Sequence, residues 1–146
     1  MKIYLASSWK NQQQVLALAD IFESNGFEVD AFCRKTDKRY AFHWSEFVDT
    51  EPALQNYDAI SFLADPRVLR AFQEDKRWLD WADTVVLVLP CGRSAHLEAG
   101  YAKGQGKSLY IYGDFKKGEF DVMYGFADGL FRLNKLANLI NALREG

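Results

Sequence analysis

Residues 85–98 read Val85-Val86-Leu87-Val88-Leu89-Pro90-Cys91-Gly92-Arg93-Ser94-Ala95-His96-Leu97-Glu98, and they decide the fold. The five apolar residues that open this stretch are typical of a strand buried on both faces of a parallel sheet. Pro90 cannot donate to a strand ladder, so the strand ends before it. Gly92 permits a sharp turn, and Ser94 is expected as the N-cap of a helix that begins near Ala95. The sequence therefore predicts a strand, a short loop and a helix N-terminus, the junction where open α/β sheets bind ligands.

Two charged residues give this junction its chemistry. With a helix that begins near Ala95, Glu98 falls in the first turn, where the helix dipole favours a negative charge and helps to keep the carboxylate ionised. Arg93 and the free amides near Ser94 form a small anion site suited to phosphate. An ionised carboxylate beside such a site could be a nucleophile whose substrate carries a phosphate elsewhere. The alternative is that Glu98 is an ordinary capping glutamate and Arg93 its solvated neighbour.

The length and composition favour one α/β domain over residues 1–146. The chain has 18 basic and 20 acidic residues, a net charge of −2 and no basic stripe, so we expect no nucleic-acid polymer as a partner. Cys33 and Cys91 are too few for a disulfide framework and fit a reducing cytoplasm. We expect neither a signal peptide nor membrane insertion, because the chain opens directly into a strand and has no long apolar run. His43 and His96 have no ligand cluster near them, so no metal site is expected.

Hydrophobic periodicity predicts strands and helices in alternation. The predicted strands cover residues 3–6, 27–32, 85–89, 108–112 and 130–132, and the predicted helices cover about 12–24, 51–63, 66–81, 94–105, 120–126 and 133–144. This order favours a doubly wound α/β fold, flavodoxin- or Rossmann-like, with a five-stranded parallel sheet between helices. If the first and central strands are neighbours, the loop from Ser7 to Asn11 faces the junction from Gly92 to Glu98.

The segment from Cys33 to Thr50 is polar and aromatic and shows no clean period, so we interpret it as a long loop or lid. Long loops in compact domains are often functional, and His43 in this segment is a candidate substrate contact. The alternative is a mobile surface excursion whose aromatic side chains cover the edge of the core. The pattern leaves both interpretations open.

Asp75 is the third acidic residue that we single out. It lies on the helix predicted over residues 66–81, beside the apolar side that Phe72, Trp78 and Leu79 define. An aspartate on a helix is usually solvated, but this position next to an apolar face makes Asp75 a candidate for a site.

Three motifs resemble the nucleoside 2-deoxyribosyltransferase-like family, which also includes 5′-deoxynucleotide N-glycosidases. The first motif is the opening Lys2-Ile3-Tyr4-Leu5-Ala6-Ser7-Ser8-Trp9. The second is Asp75, eight residues before the Asp83 that precedes the central strand. The third, and the most specific, is Gly92-Arg93-Ser94-Ala95-His96-Leu97-Glu98-Ala99-Gly100-Tyr101-Ala102, followed by Gly106-Lys107. Together the three motifs span most of the chain.

The resemblance implies an enzyme that cleaves the N-glycosidic bond of nucleosides or nucleotides, or transfers the sugar to another base, without a cofactor. Glu98 matches the family nucleophile, which attacks the anomeric carbon and forms a glycosyl-enzyme intermediate. Tyr4 matches the tyrosine that orients this nucleophile. Asp75 matches the acidic residue that assists the departing base or its protonation.

Two positions depart from the transferases that act on free nucleosides. Gly92 stands where those enzymes carry an aspartate, and Gly129, after Asp128, stands where they bring an asparagine from a neighbouring subunit. These departures favour the nucleotide N-glycosidase branch and hydrolysis. That branch implies a phosphate site in the first loop and the nucleophile loop. The substrate contacts expected on this basis are Ser7, Ser8, Trp9, Lys10, Gly92, Arg93 and Ser94.

The same resemblance implies that Asp128 and Met123–Tyr124 complete a partner's pocket in a homodimer or larger homo-oligomer. Two further interpretations stay open. Cys91 and His96 could form a thiol nucleophile with its base, although a small residue that ends a buried strand explains Cys91 equally simply. A non-catalytic nucleotide-binding or signalling module could also use this fold, because a fold does not determine a function.

Overall fold

The computed structural model describes residues 1–48 and 51–146. It contains a five-stranded parallel sheet with the strand order β2-β1-β3-β4-β5. The strands are β1 Lys2–Ala6, β2 Glu28–Ala31, β3 Thr84–Val88, β4 Ser108–Gly113 and β5 Gly129–Arg132. Every residue of β3 is buried, as expected for the centre of a parallel sheet covered on both faces. The predicted doubly wound α/β fold is confirmed.

The α-helices of the described residues are α1 Gln12–Ser24, α2 Ala59–Leu63, α3 Pro66–Trp81, α4 Arg93–Gly104 and α5 Leu136–Glu145. Asp65 caps α3 by accepting the Arg67 amide, with proline at the first helical position, as its sequence predicts. The helix predicted over residues 51–63 is instead a 3-10 segment, Glu51–Asn56, followed by the short α2. The predicted helix over residues 120–126 is a 3-10 turn, Val122–Phe126.

The start of α4 differs from the sequence-based expectation. The helix begins at Arg93 with Gly92 as its N-cap, so the assignment of Ser94 as N-cap is wrong. Gly92 makes no side-chain capping bond because it has no side chain. This shift of two residues moves Glu98 out of the first turn, which contains no acidic residue.

The two faces of the sheet carry separate hydrophobic clusters, because successive strand residues point to opposite faces. One cluster joins Ile3 and Leu5 of β1 to α1 and α5. The other joins Tyr4 and Ala6 of β1 to α3 and α4. Asp30 of β2 is the register partner of Tyr4, so it shares the face that α3 and α4 cover.

The strand order makes β1 and β3 neighbours, with Ala6 beside Leu87 near their carboxyl ends. The chain turns in opposite directions on leaving the two strands, which creates the crevice where doubly wound sheets bind ligands. The loop after β1 therefore faces the loop between β3 and α4, as we expected. Among the described residues, no helix is both long and apolar enough to cross a membrane.

Within residues 33–48, the structure shows an isolated bridge between Thr36 and Arg39 and a 3-10 turn at Trp44–Glu46. This loop packs against α3. The Tyr40 amide donates to Glu74 Oε1 over 3.0 Å, and Arg77 Nη2 donates to the Lys38 carbonyl over 2.8 Å. Asp49 and Thr50, which end the predicted loop, lie outside the described residues.

Candidate active site

The Tyr4 phenol donates a hydrogen bond to the Glu98 carboxylate. Tyr4 is completely buried on β1, and Glu98 lies half-buried in the second turn of α4. Burial and the nearby Glu98 carboxylate hold the pKa of Tyr4 well above its usual range. The phenol therefore keeps its proton and acts as a fixed donor beneath the carboxylate.

Burial affects the pKa of Glu98 more strongly than the helix dipole does. Burial and the nearby Asp75 carboxylate raise the pKa of Glu98 to about 8, although the hydrogen bond from Tyr4 and the charge of Arg39 oppose the shift. The expectation that Glu98 sits in the first turn and is kept ionised by the dipole is wrong, because the dipole acts only near the helix end. In the free protein, Glu98 therefore keeps its proton to a higher pH than a solvated glutamate does.

Asp75 reaches the same cleft from α3. Its Oδ1 accepts a hydrogen bond from Arg39 Nη2 over 2.8 Å, and 41% of its side chain is exposed, on the cleft side. Burial raises the pKa of Asp75, and the charge and hydrogen bond of Arg39 oppose that rise. Asp75 therefore keeps its proton to a higher pH than a solvated aspartate does, which suits a group that donates and accepts protons.

The cleft above Tyr4 has a volume of about 140 Å³. The structure brings together here five residues that the sequence analysis named, and it adds Phe32 and Phe42. The complete lining is Ser7, Trp9, Phe32, Phe42, Asp75, Ser94 and Glu98. Two carboxylates, small polar groups and aromatic rings thus share one concave site.

Trp9 also lines a neighbouring cavity of about 470 Å³, and His43 lies there instead of in the cleft. The Trp9 ring packs edge-to-face on His43, with centroids 5.1 Å apart, and on Phe32 at 5.4 Å. The indole therefore forms a wall between the cleft and this cavity.

The loop after β1 is tied to the end of β3. Ser7 Oγ donates to the Val88 carbonyl over 2.8 Å and accepts from Asn11 Nδ2 over 3.2 Å. Ser8 caps the following 3-10 turn by accepting the Lys10 amide, while the Lys10 side chain is exposed. The loop is therefore fixed at Ser7, with Ser8 and Lys10 at its outer edge.

Other expected substrate contacts lie away from the cleft. Gly92, Arg93 and Met123 line a separate cavity of about 600 Å³ between α4 and the Val122–Phe126 turn. Asp128 lies at the amino end of β4, where both of its carboxylate oxygens bind Lys103 Nζ and one also accepts the Leu109 amide. The contribution of Met123 and Asp128 to a partner's pocket stays a prediction.

The hydrogen bonds of His96 argue against a thiol nucleophile at Cys91. His96 Nδ1 lies 2.7 Å from the Gly92 carbonyl, which can only accept, so Nδ1 carries the proton. Cys91 Sγ is 3.7 Å from that same nitrogen and has no free base there. Burial and the Glu98 charge raise the pKa of Cys91 to about 12, so the thiolate is scarce at neutral pH.

The sequence analysis did not identify Asp30 or Arg39 as site residues. Both are almost completely buried, at 4% exposure, and Arg39 Nε lies 2.9 Å from Asp30 Oδ1. Charged and apolar residues alternate in β2, Glu28-Val29-Asp30-Ala31, which is typical of a strand with one solvated face, so no local signal marked Asp30 as buried. Nothing in the loop sequence distinguished Arg39 from its neighbours Lys35 and Lys38.

Within residues 1–48 and 51–146, no group of three or more histidine, cysteine, aspartate or glutamate side chains is placed to hold a metal ion.

Comparison with known proteins finds similarity among solved structures. No protein-family model matches the sequence, and no curated protein does. Among solved structures, the CMP N-glycosidase BcmB of Clostridium botulinum matches over 99% of this chain and 99% of its own, with a TM-score of 0.54 and 15% sequence identity. At this identity the match shows a shared fold.

Proposed function

We propose that this protein is an enzyme that breaks the N-glycosidic bond of nucleosides or their 5′-monophosphates, with Glu98 as nucleophile. The observation that carries the proposal is the hydrogen bond from buried Tyr4 to Glu98, in a cleft that Asp75 also lines. A fold shared with an N-glycosidase and the three sequence motifs support the same chemistry.

In the first step, a carboxylate oxygen of Glu98 bonds to the anomeric carbon as the carbon–nitrogen bond breaks. The electron pair of that bond goes to the base nitrogen, and the base takes a proton from Asp75 or from a bound water. The products of this step are the free base and a glycosyl ester of Glu98. Tyr4 holds the attacking oxygen in place by its hydrogen bond.

In the second step, water attacks the anomeric carbon and Glu98 departs as a carboxylate. Asp75, now ionised, accepts the proton of that water, so the enzyme returns to its starting state. Another base in place of water would give base exchange. We favour water because Gly92 and Gly129 replace the side chains that transferases of free nucleosides carry.

The charges of the site suit the transition state of this reaction, in which the sugar resembles an oxocarbenium ion. Three acidic side chains, Asp30, Asp75 and Glu98, share the guanidinium of Arg39, and Arg34, near Asp30, is a second cation of this cluster. With Glu98 ionised, the cluster carries excess negative charge in a poorly solvated place, and such fixed charge stabilises a developing cation.

The shape of the site indicates where each part of a nucleotide would bind. The cleft, at about 140 Å³, is smaller than typical ligand pockets of about 300 Å³ or more. The neighbouring cavity of about 470 Å³, across Trp9, supplies the remaining room. Trp9, Phe32 and Phe42 offer aromatic faces for a base. Ser94, at the N-terminus of α4, supplies a hydroxyl for a 5′-phosphate, which the unpaired amides of that first turn also favour.

The test is release of free base, followed by chromatography, from deoxyribo- and ribonucleosides and their 5′-monophosphates, each with and without a second base. We expect release without an acceptor, strongest for monophosphates, and none from the Glu98→Gln variant. Glu28→Gln is a matched control, because Glu28 is exposed at the amino end of β2, and it should keep full activity. Full activity in Glu98→Gln would overturn the mechanism.

The alternative proposal is a non-catalytic nucleotide-binding or signalling module. The observation that favours it is the burial of Glu98 beside Asp75, which raises its pKa to about 8 and so reduces the share of the nucleophilic carboxylate at neutral pH. Calorimetric binding of 5′-monophosphates together with no base release between pH 6 and pH 9 would support this alternative and reject the enzyme.

We also propose a homo-oligomer, as the resemblance implies. Exposed apolar side chains lie on or next to the two segments that border the cavity, α4 and the Val122–Phe126 turn. They are Val122 at 86% exposure, Phe120 at 81%, Leu97 at 75%, Met123 at 59% and Phe126 at 55%. A surface of this kind is typical of an interface, and a second copy of the chain is the partner that we propose.

A further inference from the structure

Arg39 has no place in the three sequence motifs, yet it is one of the most buried charged residues of the described chain, at 4% exposure. Its Nε lies 2.9 Å from Asp30 Oδ1, and its Nη2 donates to Asp75 Oδ1 over 2.8 Å. Its Nη1 donates to the Tyr40 carbonyl over 3.1 Å. Burial of a charge is costly unless it is paired, and here one guanidinium serves two carboxylates from two different elements.

The two carboxylates differ in their position. Asp30 lies on β2 next to Tyr4 in the sheet register and is almost completely buried. Asp75 lies on α3 and lines the cleft with Glu98. Arg39 itself does not line the cleft. The guanidinium therefore connects a carboxylate of the rigid sheet with a carboxylate of the site.

The loop around Arg39 is held in place independently of this ion pair. Glu74 accepts the Tyr40 amide, and the Arg70 guanidinium lies 4.0 Å from the centroid of the Tyr40 ring. Partial burial of Glu74 acts to raise its pKa, but hydrogen bonds from Arg77, the Tyr40 amide and Trp78 outweigh burial and lower the pKa to about 2. The Glu74 carboxylate therefore stays charged. The loop therefore has anchors on α3 other than Arg39.

We propose that Arg39 is a positioning residue for the reaction: held by Asp30, it fixes the direction of the Asp75 carboxylate and offsets the Asp75 charge beside Glu98. This inference rests on the proposed function and deepens it. Arg39 acts through Asp75 and touches no substrate.

The electrostatic surroundings of Glu98 set the sign of the effect. Asp75 and Asp30 raise the pKa of Glu98, while Arg39 lowers it. The other ionisable groups of this cluster are Tyr4 on β1, Arg34 near Asp30, Glu74 on α3 and Cys91 before α4. Loss of the Arg39 charge removes an attraction from Asp75 and Glu98 alike, so both carboxylates hold their protons to higher pH.

The experiment compares the pH dependence of kcat/KM for base release in the wild type, Arg39→Met, Arg39→Lys and Asp30→Asn. The acid limb reports the ionisation of the nucleophile in the free enzyme. For Arg39→Met we expect this limb to move up by about one pH unit, with kcat at pH 7 reduced about tenfold or more. Arg39→Lys keeps the positive charge but loses the planar guanidinium that binds two carboxylates at once. The acid limb of its kcat/KM profile should therefore stay near that of the wild type, while its kcat falls.

Asp30→Asn should move the limb in the opposite direction, to lower pH, because it removes a negative charge near Glu98. A role limited to holding the loop predicts lower activity with an unmoved limb in every variant, and that result would overturn the proposal. Equal effects of Arg39→Met and Arg39→Lys, or shifts of the same sign in Arg39→Met and Asp30→Asn, would overturn it as well. If Arg39→Met does not fold, Arg39→Lys and Asp30→Asn decide.

A second readout separates this inference from the proposed function. The carbon-13 chemical shifts of the Glu98 and Asp75 carboxyl groups can be titrated by NMR without any substrate. Both pKa values should rise in Arg39→Met relative to the wild type. Absence of base release in the wild type, with these rises present, would reject the reaction but retain the electrostatic role of Arg39. Unchanged pKa values would reject that role whether or not base is released.

Discussion

The Tyr4 phenol donates its hydrogen bond to Glu98, a residue 94 positions further along the chain. Sheet pairing explains this contact, because β1 lies beside β3 with Tyr4 opposite Val85, and α4 follows β3 directly. A buried donor on β1, an inner strand of the sheet, is a rigid support for a reactive carboxylate. The carboxylate in turn has little water around it, which accounts for its raised pKa.

Replacement of Glu98 by glutamine should stabilise the protein in a pH-dependent way. Burial raises the pKa of Glu98 from 4.5 to about 8, so in this range the folded state binds a proton that the unfolded state has released. Wild-type stability therefore has a contribution that is complete below pH about 4.5 and is lost as the pH rises towards 8. Glutamine does not ionise, so the variant does not lose stability in this way as the pH rises. Relative to the wild type, Glu98→Gln should gain on the order of 4 kcal/mol between pH 5 and pH 9.

Urea unfolding at the two pH values measures this gain. Glu28→Gln, at an exposed position, should show no comparable change with pH. The same stability difference at pH 5 and pH 9 for Glu98→Gln would contradict the raised pKa.

Removal of the Tyr4 hydroxyl should slow the reaction and shift its pH dependence. Without the donor, Glu98 is less well oriented, and its pKa rises because the hydrogen bond from Tyr4 had lowered it. We expect Tyr4→Phe to reduce kcat by about 10- to 100-fold and to move the acid limb of kcat/KM to higher pH. Tyr112→Phe is the control, since that phenol donates to the Leu133 carbonyl. An unmoved limb in Tyr4→Phe would show that Tyr4 does not act on Glu98.

The role of Asp75 can be isolated with a base that needs no proton on departure. We expect Asp75→Asn to slow release of ordinary bases by about 10²- to 10⁴-fold, the usual contribution of a general acid. Release of N7-methylguanine, which is cationic before the bond breaks, should fall less than tenfold. The measurement is the rate of base release in a single turnover, which reports the first step alone, for both substrates at each variant's pH optimum. Asp80→Asn, on the same helix and paired with Lys76, should leave both rates unchanged. Equal losses for the two bases would show that Asp75 is not the acid.

The phosphate preference should depend on Ser94 more than on Arg93. Ser94 lines the cleft with Glu98, whereas Arg93 lines the separate cavity of about 600 Å³. We expect Ser94→Ala to raise KM for 5′-monophosphates about tenfold and KM for free nucleosides by less than twofold, in line with one lost hydrogen bond to a charged group. Arg93→Ala should have the smaller effect on monophosphates. If Arg93→Ala raises KM for 5′-monophosphates more than Ser94→Ala does, Arg93 is the main phosphate contact, as the sequence had suggested.

The oligomer should depend on the apolar surface beside the Val122–Phe126 turn. A charge at Val122, which is 86% exposed, would be buried without a partner in an interface there. We expect a homo-oligomer for the wild type and a monomer for Val122→Asp, in size-exclusion chromatography with light scattering. Ile60→Asp is the matched control, because Ile60 is as exposed at 84% but lies on α2. A wild-type monomer at micromolar concentration would reject the oligomer.

The sequence by itself determined the five strands in their succession along the chain and the bounds of two helices. Hydrophobic periodicity and turn residues are local signals, and a fully buried run such as β3 can occupy only the centre of a sheet. The predicted helix over residues 12–24 matches α1, and the helix predicted over residues 66–81 matches α3. The motifs also named Tyr4, Asp75 and Glu98, which the fold brings together at one cleft.

Only the tertiary structure decided the charge of the site. The pKa of Glu98 depends on burial and on Asp75, which belongs to another helix, and the sequence could supply only the local dipole argument. The pairing of Arg39 with Asp30 and Asp75 joins a loop, a strand and a helix, and no local pattern encodes such a contact. Asp128 likewise binds Lys103, which lies 25 positions away. The physical reason is that burial and ion pairing are set by neighbours distant in the chain, whereas helix and strand formation are set largely by neighbours close in the chain.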